Sequence, residues 1–161
     1  MKRIMIILFI LFIAVAADST ELTEEIFQLN HCFSLKVMEQ EDLSAVVEIN
    51  SDEQAYHIVT IENAGISEVK KVKLCKSCKE SYFIALYDRS STYGSTTGIV
   101  AWQNGWDNWF LMVLPFSVAG IEDENNDGVF ELVDQYSEKT ENKFYPVKMK
   151  YRFMDGLIWP E

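Results

Sequence analysis

Asp123, Asn125, Asp127, Gly128 and Glu131 stand at positions one, three, five, six and nine of the loop that opens at Asp123, within the stretch I-E-D-E-N-N-D-G-V-F-E-L-V. Hard cations are held by oxygen: calcium takes six to eight oxygen ligands, and a glycine at the sixth loop position lets the chain fold back over the ion. Asp123, Asn125, Asp127 and Glu131 would donate side-chain oxygens and Val129 its carbonyl, with Asp134 at position twelve as one further donor. The chemistry implied is the holding of a structural calcium ion, not a reaction. Asn, Asp and Gly are also what ordinary turns are made of, so an acidic turn is the competing reading.

The flanks distinguish between kinds of calcium loop. In an EF-hand two helices enclose the loop and a bidentate glutamate fills position twelve. Here Asp134 stands there, and Phe116–Ala119 before and Val129–Val133 after read as strands. The pattern resembles the strand–loop–strand calcium loops of FG-GAP and integrin-type propeller repeats, whose D-x-D/N-x-D-G-x-x-D/E-L motif matches Asp123, Asn125, Asp127, Gly128, Glu131 and Leu132. The resemblance covers about a dozen residues of the 161 and implies a structural metal in an exported β-protein. Only one copy of the motif occurs and no repeat of roughly 20–50 residues is visible, which argues against a complete propeller.

Cys32, Cys75 and Cys78 are the three cysteines. In an oxidising compartment one disulfide and one free thiol are expected, either within Cys75-Lys76-Ser77-Cys78 or from Cys32 to one member of that pair. A C-x-x-C redox centre wants a strand before it, a helix after it and a βαβ setting, but Glu80-Ser81-Tyr82-Phe83 leads directly into a strand pattern. A zinc set from these cysteines with His31 or His57 lacks a second paired spacing. Lys70, Lys71, Lys73, Lys76 and Lys79 crowd the motif on an otherwise acidic chain. Such cations lower a thiol's pKa or dock an acidic partner, and they are equally an ordinary solvated strand face. The cluster lacks interleaved aromatics, so nucleic acid is not supported as a partner.

No G-x-S-x-G or H-E-x-x-H motif and no phosphate-cradling glycine loop occurs. Among 25 acidic side chains no pair is singled out for glycoside hydrolysis. The function expected is a non-enzymatic binding or accessory module. The alternatives are a small secreted hydrolase, a thiol oxidoreductase using Cys75 and Cys78, or a structural subunit or inhibitor of a cationic partner. Tyr93, Trp102, Trp106 and Trp109 supply a candidate contact surface for a protein, peptide or glycan. In the competing reading they are core and cross-strand pairs of a central hairpin, with Trp106, beside the turn, the least easily buried.

Most of the chain reads as short strands. Val147, Met149, Tyr151 and Phe153 alternate with Lys148, Lys150 and Arg152, and Asp155-Gly156 then turns the chain into Leu157-Ile158-Trp159. Val72 and Leu74 alternate with Lys71 and Lys73, and Ala45–Ile49 and His57–Ile61 are β-branched. The runs Tyr82–Tyr87, Ile99–Trp102 and Trp109–Leu114 are apolar on both faces, which suits central strands, and Asn104-Gly105 marks a hairpin between the last two. Only Glu21–Leu29 looks helical, with Ser19, Thr20 and Thr23 as caps. The fold expected is mainly β: a single antiparallel, sheet-based domain, either a sandwich or a partly open barrel resembling a propeller blade, with at most one short N-terminal helix.

Met1-Lys2-Arg3, the apolar run Ile4–Val15 and the small residues Ala14-Val15-Ala16-Ala17 form the pattern of a cleaved export signal, residues 1–16, ahead of one β-rich domain at residues 17–161. The apolar run is short of the roughly 20 residues that span a bilayer. A periplasmic or secreted destination follows, with no membrane association after cleavage. Loss of residues 1–16 removes Lys2 and Arg3 and no acid, taking the net charge from −11 to −13. That surface repels nucleic acid and anionic lipid and favours cations or a basic protein.

Overall fold

The computed structural model describes residues 22–161 except 52–53, 93–94, 141–142 and 155. The expected export signal and Tyr93 lie outside the described residues. The chain builds three antiparallel sheets of four strands, each a meander in sequence order. The first contains β1 (Glu24–Gln28), β2 (Phe33–Glu39), β3 (Ala45–Ser51) and β4 (Gln54–Ile61). The second contains β5 (Ala64–Lys71), β6 (Glu80–Asp88), β7 (Thr96–Gln103) and β8 (Trp109–Ser117). The third contains β9 (Gly120–Glu122), β10 (Glu131–Thr140), β11 (Lys143–Met154) and β12 (Leu157–Pro160).

The second sheet lies between the other two, because successive side chains of a strand point to opposite faces. Tyr82, Ile84, Leu86, Ile99 and Ala101 join Leu35, Val37, Val47 and Ile49 in one core. Phe83, Ala85, Val100 and Trp102 join Leu132 and Phe153 in another. The doubly apolar runs of β6 and β7 are therefore the central strands of a sheet covered on both faces. A partly buried ion pair ties the first two sheets together. Arg89 reaches Glu39 Oε2 at 2.8 Å, and Glu39 Oε1 also accepts the Ile66 N–H at 2.7 Å.

The helix expected at Glu21–Leu29 is absent: Glu24–Gln28 is a strand paired with β2. Leu22, Ile26 and Leu29 have helical spacing, yet Leu22 and Ile26 are exposed. Phe27 and Leu29, two residues apart, are the pair that the core takes, with the Phe27 ring 5.6 Å from that of Tyr82. Burial against a neighbouring sheet overrides a weak helical period.

The candidate metal loop and the cavity beside it

Residues 123–130 connect β9 to β10, and the pairs Glu131↔Glu122, Leu132↔Ile121 and Val133↔Gly120 close the loop at its base. The acidic stretch is thus a strand–loop–strand element. Its interior is organised by side-chain oxygens turned onto backbone donors. Asp123 Oδ1 accepts the Asp127 N–H at 3.1 Å and its Oδ2 the Gly128 N–H at 3.0 Å. Asn125 Oδ1 also accepts the Asp127 N–H, at 2.9 Å, and Asp127 Oδ1 accepts the Val129 N–H at 2.9 Å. Gly128 has φ +78°, a left-handed conformation that a β-carbon disfavours, which is why the sixth position is glycine.

Glu131, the ninth loop position, is 3% exposed. Its Oε2 has no hydrogen-bond partner. Burial pushes its carboxyl above the ordinary glutamate range, and the charges of Glu161 and Asp127 add to this while Arg152 opposes it. Asp127 moves the other way: the Val129 N–H, then Lys76 and Arg152, hold it below the ordinary range. Arg152 is itself bonded to Glu161. Both carboxylates line a half-open cavity of about 240 Å³ whose walls include Cys75, Lys76, Arg152 and Phe153.

The opposite wall comes from the connection between β5 and β6. Cys75 and Cys78 are disulfide-bonded, with their Cα atoms 5.3 Å apart, and Cys32 is free and exposed. Of the three pairings the sequence left open, the local one forms. Two contacts join this connection to the acidic loop: the Phe130 N–H donates to the Lys73 carbonyl at 2.8 Å, and Lys76 pairs with Asp127. His31 is exposed and His57 packs against the Tyr56 and Phe110 rings, so neither joins the cysteine pair.

Asp134 does not share the site. It lies opposite Met149 on β10, an odd number of residues from Glu131 and so on the other strand face. Among the described residues no three carboxylate, imidazole or thiol side chains converge on one point. The tryptophans separate as well: Trp109 and Trp102 are core, as the core and cross-strand reading has them and not as a contact surface, while Trp106 is 85% exposed. The residues 104–108 that carry it form a turn in which Asn104 Oδ1 accepts the N–H groups of Trp106 and Asn108 at 3.0 and 3.2 Å. Sequence reasoning missed Arg152 as a cavity residue, although its alternation with Tyr151 and Phe153 placed it on the outward face. No family model, curated protein or solved structure matches the chain.

Proposed function

We propose that this chain is an exported binding or accessory module in which the 123–131 loop holds a calcium ion. The observation that carries this reading is Glu131: a carboxylate buried at the edge of a cavity with one oxygen unpartnered. A buried charge of that kind is costly unless a cation or hydrogen-bond donor meets it. Asp123, Asn125, Asp127 and the Val129 carbonyl belong to the same loop and complete an oxygen donor set of the kind calcium takes. The carboxylate oxygens of Asp123 and Asp127 that accept loop N–H groups each keep a second lone pair for a metal. Calcium entry would draw these side chains together, so the metal orders the loop and fixes β9 against β10. The strand–loop–strand setting and the likeness to FG-GAP-type loops support the same reading. Affinity of about 10⁻⁴–10⁻³ M is expected, as for extracellular modules.

Export rests on the pattern of residues 1–16, and Trp106 is the candidate contact point for a protein, peptide or glycan partner. Thermal unfolding in millimolar calcium against excess chelator, with magnesium as control, tests the metal. A calcium-specific rise in midpoint is the expected result, because a ligand that binds only the folded state stabilises it. Coincident curves would reduce the loop to an acidic turn.

A further inference from the structure

The disulfide that walls the acidic cavity has a second side. Cys75 lines the cavity that holds Asp127 and Glu131. Cys78 lines a separate cavity of about 300 Å³ framed by Lys71, Lys73, Lys79 and Glu80. Lys71 is paired with Glu80 and Lys79 with Asp107, so three ammonium groups face two carboxylates there, on a chain of net charge −11. Cys75 Sγ accepts the Cys78 N–H at 2.9 Å and lies 3.5 Å from the Ser77 hydroxyl. The two sulfurs are not equivalent. Both are buried, Cys78 6% exposed and Cys75 2%; the less buried one stands beside the lysines, and the other already has hydrogen-bond donors in place to stabilise a thiolate.

A purely structural bond explains less. A loop this short removes less entropy from the unfolded chain than a long-range bridge from Cys32 would. The connection is also held without it: the Val72 N–H bonds the Ser81 carbonyl at 3.0 Å and the Leu74 N–H bonds the Ser81 hydroxyl at 3.0 Å.

We propose that Cys75–Cys78 is a thiol–disulfide exchange site for small anionic thiols, attacked at Cys78 and releasing Cys75. The incoming thiolate forms a bond to Cys78 Sγ as the Cys75–Cys78 bond breaks, and the electron pair departs on Cys75 Sγ. The better-stabilised thiolate is the better leaving group, and the Cys78 N–H and Ser77 hydroxyl provide that stabilisation. A second thiolate then attacks the substrate sulfur of the mixed disulfide and releases Cys78. Two thiols become one disulfide, two electrons pass to the cysteine pair, and the protons the thiols lost are taken up by the two new cysteine thiolates. The lysines on the Cys78 side steer anions towards that sulfur.

The test uses the oxidised full chain with Cys32 blocked by alkylation. Mercaptoacetate and cysteamine are compared at low salt, each rate divided by the same thiol's rate with the unfolded oxidised chain so that intrinsic nucleophilicity cancels; the thiol released is trapped with iodoacetamide and located by peptide mass spectrometry. The anionic thiol is expected to react faster by about tenfold, at the lower end of what electrostatic steering supplies. The adduct should sit on Cys78 and the alkyl group on Cys75. High salt, or Lys73→Glu, should abolish the preference. An equal or faster cationic thiol, an adduct on Cys75, or a bond that stays closed while the unfolded control is fully reduced would each overturn the proposal.

Discussion

Lys76 Nζ lies 3.5 Å from Asp127 Oδ2, so the disulfide connection and the acidic loop meet through an ion pair. The Lys76 side chain is 78% exposed, and an exposed pair of this kind adds little to stability. Its meaning is positional: a monovalent cation already rests against a carboxylate of the loop where a divalent one is proposed to bind.

Lys76→Gln is therefore expected to leave thermal stability in chelator nearly unchanged and to tighten calcium binding severalfold, because a competing charge is gone. Calorimetric titration of the variant checks this. Weaker binding would mean that Lys76 holds the loop in its metal-ready form.

Glu131→Gln should have opposite effects with and without metal. Replacing a buried, partly unpartnered carboxylate by a neutral isostere removes the part of the desolvation cost that comes from the charge, so the variant should be more stable in chelator. It should also lose the calcium response. Urea unfolding in both conditions reads the two effects separately.

The tryptophans give a contrast in the two cores and the turn. Trp109 is fully buried and Trp106 is 85% exposed. Trp109→Ala should cost about 3–5 kcal/mol of stability, and Trp106→Ala no more than about 0.5 kcal/mol. Equal effects in urea unfolding would contradict the burial described.

Asp42 carries a pH dependence. Its carboxyl accepts the Ser44 hydroxyl at 2.6 Å and the Ser44 N–H at 3.0 Å, and these bonds hold it below the ordinary aspartate range. A depressed carboxyl binds its proton more weakly in the folded chain than in the unfolded one. Its contribution is present above the ordinary range and disappears as pH falls through the folded value. Ser44→Ala removes the hydroxyl donor and should raise the Asp42 midpoint in an NMR carboxyl titration. An unmoved midpoint would leave the hydroxyl without a role.

Much of this fold is legible in local pattern. The alternation of Val147–Phe153 with lysine and arginine gives β11, and the outward cations meet Glu122, Glu124 and Glu161. The doubly apolar runs give β6, β7 and β8, but only β6 and β7 are central and buried almost throughout; β8, also expected in the middle, is the edge of its sheet. The loop between two strands is legible too, because glycine at a left-handed position and aspartates that bond their own backbone are local chemistry.

The threefold repetition of a four-stranded meander is not legible, because the three sheets bury different faces. The middle sheet must be apolar on both sides and its neighbours on one, so their sequences share no period. The Glu39–Arg89 pair and the local choice of disulfide depend on which elements meet in space, and the Leu22, Ile26 and Leu29 spacing misdirects for the same reason. Arg152 belongs to the cavity only because β11 returns beside β10, bringing it near Glu131 and Asp127.

Calcium titration of the purified chain by calorimetry, run in parallel on Glu131→Gln and Asp123→Ala, reads the metal loop most directly. The expected result is one site on the unaltered chain in the submillimolar range, stronger than any magnesium signal and lost in both variants. Absence of calcium heat on the unaltered chain, or binding that survives Glu131→Gln, would contradict the assignment of the 123–131 loop as a metal site.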